Sequence, residues 1–314
     1  MRLVFCGTPQ FAVPTLNGLL HAGHRVDLVM SQPDRASGRG MEVQISPVKR
    51  YAEQNVLELA QPAKIRNNPE LQERLRALSP DAIVIVAYGR LIPPWMLSLP
   101  KHGNLNVHAS LLPKYRGAAP IQWAVANGET VTGVTTMRID EGLDTGDILL
   151  QERVPILPQQ TAVELSGVLA EVGAELMVRT LAGLDQGTLK ATQQDHRRAT
   201  LAPILQREDG RIDWNRTARQ IFDRWRGFHP WPGAFTSFHG KKLILHAMKV
   251  VADAAEVGAA PGTLRRAGGR LLVACGEGSW LELLELQLEG KRRMPVEAFL
   301  NGLSLADGER LDLR

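Results

Sequence analysis

Short apolar runs alternate with segments of helical periodicity through the first two hundred residues, and then the alternation stops. RLVFCG (2–7) reads as a strand and FAVPTLNGLLHAG (11–23) as a helix closing near Gly23. RVDLVM (25–30) is the next strand, and a polar loop follows it through Gly40. SPVKRYAEQ (46–54) is helical, with Ser46 as its cap and Pro47 in its first turn. VLELAQ (56–61) reads as a strand, and NPELQERLRALS (68–79) as a helix capped by Asn68. DAIVIVAYG (81–89) is an unbroken apolar run, the pattern of a strand buried on both faces. NLNVHAS (104–110) and VTGVTTMRI (131–139) supply two further strands, and residues 161–184 a long amphipathic helix. Strands alternating with helices give an α/β domain built on a parallel, doubly wound sheet.

From about residue 206 the pattern changes. RIDWNRTARQIFDRW fits one more helix, and the rest is short strands (AFTSF, KLILHAMKV, RLLVAC, WLELLELQLEG) separated by Gly/Pro turns. That is the signature of a small all-β domain, a barrel in the simplest reading. The expected division is therefore 1–189, a linker at 190–205, and 206–314.

Composition narrows the class. A chain of 314 residues with 44% hydrophobic and 22% charged residues can bury its own core. Cys6 and Cys275 are far apart and in no metal-type spacing, which suggests a reducing compartment. The N-terminal apolar run is too short for a signal peptide, and no window approaches the roughly 18 apolar residues of a membrane span. A cytoplasmic protein is expected. With no long apolar stripe left over, so is a monomer.

The net charge of +4 is unevenly placed: 17 Lys/Arg face 14 Asp/Glu in 206–314, and nine face five within 190–226. A basic junction fits a polyanionic partner, and a solvated helix face fits the same count.

Candidate chemistry belongs at the carboxyl ends of the strands. Asn106 and His108, two apart on a strand, project from one face. An amide that can stabilise an oxyanion beside an imidazole that can exchange protons suits acyl transfer to an amine. A carboxylate beside the imidazole would favour the cation, and Asp144 in the Gly-flanked loop 140–147 is the preferred candidate. Each has an ordinary alternative: a buried histidine satisfied by backbone, and a solvated acidic turn. Other chemistries fit less well. The loop misses the EF-hand spacing, and His108 lacks a neighbouring histidine for zinc. Ser110 lies in S-L-L-P rather than G-x-S-x-G, and Gly7-Thr8-Pro9 lacks a nucleotide fingerprint. No metal site is expected.

Taken together the motifs resemble those of the methionyl-tRNA formyltransferases. The run from Asn106 to Ile121 (NVHASLLPKYRGAAPI) looks like the family's signature, and GLDTGD (142–147) like its second one. FCGTPQFAVP at the start, QPDRASGRG (32–40), the 84–89 run, RIDW (211–214) and HPWPGAF (229–235) extend the likeness along nearly the whole chain. Departures are Ala109, where Gly is common, and Tyr115, where Trp often stands.

The resemblance implies a Rossmann-like folate domain followed by an OB-like domain that helps hold tRNA. It implies Asn106, His108 and Asp144 as the catalytic group, and Ser110, Leu111, Leu112 and Pro113 as folate contacts. Val86, Tyr88, Gly89 and Asp140 would line the pterin pocket, and the loop 34–44, with Arg35 and Arg39, would reach the acceptor stem. The donor implied is 10-formyltetrahydrofolate and the partner initiator methionyl-tRNA. Rival readings are the same transfer to glycinamide ribonucleotide or an amino-sugar nucleotide, hydrolysis of formyl-folate, and a noncatalytic RNA-binding or folate-sensing protein.

Overall fold

The structure, a computed structural model, describes residues 1–37, 42–251, 258–302, 306 and 308–311. Its contacts form two compact units. The first comprises Met1–Pro120, Val131–Pro155 and Glu164–Pro203, and the second Ile121–Thr130, Ile156–Val163 and Ile204–Arg314.

The first unit carries a seven-stranded sheet. Its strands are β1 (Arg2–Gly7), β2 (Arg25–Met30), β5 (Leu59–Ala60), β6 (Ala82–Val86), β7 (Asn104–His108), β8 (Val131–Arg138) and β9 (Ile148–Pro155), in the order β5-β2-β1-β6-β7-β8-β9. The first five are parallel, as the apolar runs predict, and β6 is buried at every position. The last two strands are antiparallel, β8 to β7 and β9 to β8. The hydrophobic pattern did not announce β9, whose alternation of buried and exposed positions is irregular.

Helices α1 (Val13–His21), α2 (Pro47–Gln54), α3 (Pro69–Leu78), the short α4 (Pro94–Leu97) and the long α6 (Ala162–Asp185) accompany this sheet. Two start where the sequence says they should. The Ser46 hydroxyl accepts from the Lys49 amide at 3.1 Å and the Asn68 carbonyl oxygen from the Leu71 amide at 3.0 Å, each just before a proline. The expected strand 56–61 shrinks to two residues. Val56 takes a left-handed φ of 54°, and the Leu57 amide donates back to Ala52 at the end of α2. Those residues close a helix instead of opening a strand. Within the polar loop, Arg35–Ser37 (β3) pairs antiparallel with Glu42–Gln44 (β4).

The second unit holds α7 (Ala218–Phe228) and an antiparallel half-barrel. Its strands run in the order β10 (Phe235–Phe238), β11 (Lys241–Val251), β14 (Trp280–Leu288), β13 (Arg270–Ala274), β12 (Leu264–Ala267), with β15 (Met294–Pro295) on β14 and α8 (Val296–Asn301) beside it. Trp214, Phe222, Phe238 and Leu281 lie in its core, and the Trp214 indole donates to the Thr236 hydroxyl at 3.2 Å. Segments 121–130 and 156–163 complete it. Trp123, on α5 (Pro120–Ala126), meets Phe228 edge-on at 5.2 Å. A Cβ on Gly227 would lie 2.6 Å from the Ala126 backbone nitrogen, so only glycine lets α7 approach this closely.

Arg226, 2% exposed, donates to Asp223 at 2.7 Å and to the carbonyls of Leu157 and Gln160 at 3.3 and 3.0 Å. Arg219 also bonds Asp223. Part of the basic surplus around 190–226 is therefore consumed inside the unit. Replacing Asp223 by Ala leaves a buried guanidinium without its anion, and denaturant unfolding should show a loss of about 3–5 kcal/mol.

Both thiols, Cys6 and Cys275, are free and buried. Burial pushes the Cys6 thiol far up and the Cys275 thiol to about 12. The folded protein should therefore resist a disulfide labelling reagent at pH 8, and denaturation should expose two reactive thiols.

Candidate active site

The chain runs from β1 to β2 to β5 on one side, then returns to β6 on the other side of β1. The general rule for such sheets puts the expected ligand crevice beyond the carboxyl ends of β1 and β6. Residues 87–89 lie there, with Ala87 and Gly89 both at positive φ. Gln32, one strand away, ties this turn down: its amide nitrogen donates to the carbonyls of Tyr88 at 2.8 Å and Gly89 at 3.2 Å. Val86 is fully buried at the end of β6. Tyr88 is also buried, its hydroxyl has no partner among the described residues, and burial pushes its phenol far up. Beside them the Asp34 carboxylate, below its usual range, accepts from Gln61 at 2.8 Å and Lys49 at 2.5 Å.

Next to β6, strand β7 carries Asn106 opposite Ile85 and Met137, and His108 at its end. The alternation of the strand puts both on one face, and Asn106 is half-buried. His108 is buried, with Nε2 2.9 Å from the Tyr115 carbonyl oxygen and Nδ1 3.6 Å from Asp144 Oδ2. A carbonyl can only accept, so Nε2 carries the hydrogen and Nδ1 is the nitrogen left to exchange a proton. The same Asp144 oxygen accepts from the Gly117 amide at 2.8 Å. Asp144 is thus brought to His108 from the loop between β8 and β9, as the spacing suggested. The two backbone partners, Tyr115 and Gly117, could not have been read from side-chain chemistry.

The turn after His108 is built by its own polar groups. Ser110, fully buried, donates to the Lys114 carbonyl at 2.6 Å. The Thr135 hydroxyl donates to the Ser110 carbonyl at 2.6 Å and accepts from the Leu112 amide at 3.1 Å. Gln151 donates to the Leu112 carbonyl at 3.0 Å. Leu112 is buried, while Leu111 and Pro113 are partly open. These four residues offer a shaped apolar wall more than hydrogen bonds. Asp140 is exposed, and its carboxylate caps its own loop, accepting from Gly142 at 3.0 Å and Thr145 at 2.7 Å. Arg39 lies outside the described residues. Arg35 is placed only as a backbone position in β3.

The stretch 190–205, expected as a linker, is tied to the first unit up to Pro203. Thr200 and Ala202 exchange backbone hydrogen bonds with Arg116 at 2.8 and 2.7 Å. From it Gln194 reaches both Arg116 and the Asp144 loop.

The family described as formyl transferase matches residues 1–181, and its C-terminal domain matches residues 204–304. A methionyl-tRNA formyltransferase of Acidobacterium capsulatum is 64% identical over 311 residues, covering 99% of both chains. One of Geobacter sulfurreducens is 46% identical over 312 residues, covering 99% of this chain and 96% of its own. The chain belongs to the methionyl-tRNA formyltransferase family. Among solved structures, an N-formyltransferase from Helicobacter canadensis, in complex with folinic acid and dTDP-3-aminofucose, superposes with a TM-score of 0.67 at 20% identity, covering 90% of this chain and 98% of that one. HypX from Aquifex aeolicus, in complex with tetrahydrofolic acid, gives 0.59 at 17%, covering 96% and 47%. At those identities the likeness speaks for the fold alone, and the family rests on the two sequence relatives and the two matched domains.

Among the described residues no group of three or more His, Cys, Asp or Glu could hold a metal, and no helix is long and apolar enough to cross a membrane. The candidate site brings together the Asn106 amide, the His108 imidazole and the Asp144 carboxylate, the last two tied to backbone groups. Gly117 sits at φ 123°, and a Cβ there would lie 2.6 Å from the Ala202 carbonyl oxygen. Gly117→Ala should therefore move the amide that holds Asp144, costing roughly 1–3 kcal/mol in a thermal unfolding assay and most of the turnover in a formyl-transfer assay.

Proposed function

We infer that this chain moves the formyl group of 10-formyltetrahydrofolate onto the free α-amine of methionyl-tRNA. The observation that carries the chemistry is the juxtaposition of His108 Nδ1 and Asp144 Oδ2 at 3.6 Å, two residues along one strand face from an amide. The identity of the amine rests on relatives that share up to 64% of the sequence over nearly the whole chain.

In this reading the pterin enters the crevice beyond β1 and β6, beside the turn 87–89 and the loop containing Asp140. The wall Ser110–Pro113 fixes the folate on its other side. The methionyl amine attacks the formyl carbon, and the carbonyl oxygen becomes an oxyanion that the Asn106 amide stabilises. The amine nitrogen must then lose a proton and the departing N10 must gain one. His108 takes the first at Nδ1, where the Asp144 carboxylate faces the charge, and delivers it to N10. Nε2 stays bound to Tyr115 throughout, so the ring does not swing between the two tasks. Binding energy from the far parts of both substrates serves to hold amine and formyl carbon in line.

The second unit, with the loop 34–44, would hold the tRNA. Arg35 and Arg39 belong to that loop, and phosphate contacts of this kind make affinity fall steeply with salt.

A panel of amines tests the whole reading. Formyl-labelled 10-formyltetrahydrofolate is supplied with charged initiator methionyl-tRNA, with glycinamide ribonucleotide, and with no amine. Label should appear on the tRNA. Asn106→Ala should lower turnover roughly 10²–10³-fold, and His108→Ala at least as far. Label on the small amine would redirect the substrate assignment, free formate alone would mark a hydrolase, and both variants at full turnover would sink the site assignment.

A further inference from the structure

Gln194 lies on the segment that leaves α6, two residues after Thr192, whose backbone exchanges two hydrogen bonds with Ile148 at 2.8 Å each. It is 4% exposed, and its amide is saturated. Nε2 donates to the carbonyls of Asp144 at 2.9 Å and Gly146 at 2.7 Å. Oε1 accepts from Arg116 Nε at 3.1 Å and from a second guanidinium nitrogen at 2.6 Å. The orientation is dictated by chemistry, since carbonyls only accept and a guanidinium only donates.

This geometry has a purpose beyond filling space. Asp144 adopts a left-handed φ of 51°, a conformation that costs a non-glycine residue some energy, though aspartate tolerates it better than most. One NH2 group bridging the carbonyls of residues 144 and 146 holds the peptide plane that leaves Asp144 and the one two residues further on. Holding the first of them restricts rotation about the Asp144 Cα–C bond, and so helps keep Oδ2 in its position between Gly117 and His108. The other half of the amide holds the side chain of Arg116, the residue immediately before Gly117. A single side chain thus connects the loop that supplies the carboxylate to the turn that supplies its backbone anchor.

We propose that Gln194 is a positioning residue for formyl transfer, acting through Asp144; this rests on the reading of Asp144 as a catalytic group. Only glutamine satisfies the site. Glutamate keeps an acceptor for Arg116 but turns an oxygen towards two carbonyls, and alanine takes the donor from those carbonyls and leaves the guanidinium, among the described residues, only the His196 ring nitrogen at 3.1 Å.

The test compares Gln194→Glu, Gln194→Ala, Asp144→Asn and the double variant Asp144→Asn/Gln194→Ala in steady-state formylation of methionyl-tRNA. Thermal melts confirm that each is folded at the assay temperature. Displacing a catalytic group by about 1 Å can cost 10²-fold, so both Gln194 variants should lose roughly 10- to 100-fold in kcat, with KM for either substrate changed less than about threefold. In the Asp144→Asn background the further loss from Gln194→Ala should be below about twofold, because residues acting through one another are not additive.

If Gln194→Glu turns over like the natural protein while Asp144→Asn is slow, the positioning role is wrong and the catalytic reading stands. Fully multiplicative losses in the double variant would also overturn it. If Asp144→Asn itself keeps full turnover, the catalytic reading of Asp144 fails and takes this role with it. Should Gln194→Ala not fold, Gln194→Glu, which keeps the Arg116 contact, carries the comparison, with Asp144→Asn/Gln194→Glu as its double variant.

Discussion

One carboxylate oxygen joins its own loop to a strand end and to the turn that follows that strand. Asp144 Oδ2 belongs to the loop between β8 and β9, accepts from an amide in the turn 115–117, and faces an imbidazole nitrogen at the end of β7. The parallel sheet delivers the histidine without further help, since β7 is hydrogen-bonded along β6 and ends at the ligand edge. The carboxylate needs more. It comes from the loop after an antiparallel strand, in a residue of left-handed backbone, and in the proposed transfer it would have to stay there while charge moves beside it. Preorganisation of this kind is what makes a polar group in a partly dry site effective, because nothing has to reorient when the reaction proceeds.

Much of this could be seen in the chain before any coordinates. The unbroken apolar run 82–86 could only be a strand with both faces covered, and Ser46-Pro47 and Asn68-Pro69 could only be helix starts. Asn106 and His108 follow from the two-residue period of a strand, and Asp144 from its glycine-flanked loop. Less legible were features whose partners are backbone atoms or distant side chains. The Tyr115 carbonyl and the Gly117 amide carry no side-chain signature. Arg116 and Gln194 look like ordinary polar residues until residues 78 positions apart are seen to touch. Strand β9 escaped because its burial alternates irregularly, and Val56 delayed the start of β5 by taking a conformation its β-branched side chain gives no hint of.

Charge was legible in amount but not in availability. The basic excess after residue 206 suggested a polyanion, yet several of those cations are occupied within the fold. Arg219 and Arg226 converge on Asp223, Arg270 and Lys249 on the buried Glu282, and Arg293 on Glu285. Lys242 lies over the Phe235 ring at 3.8 Å, where burial and the nearby Arg207 hold its ammonium below the usual range. Counting lysines and arginines therefore overstates what a nucleic acid would meet, and a charge map has to begin from the ones left unpaired.

The second unit is not a contiguous piece of chain, and this bears on how such a protein can be inherited or dissected. Residues 121–130 and 156–163 belong to it, though each is flanked by residues of the first. A gene cut near codon 204 would give a downstream product in which Phe228 lacks Trp123 and Arg226 lacks the carbonyls of Leu157 and Gln160. Neither loss can be repaired by anything encoded after the cut. The two halves are distinct in architecture but indivisible in sequence, so recombination can exchange them only together with the two short segments that the first half carries for the second.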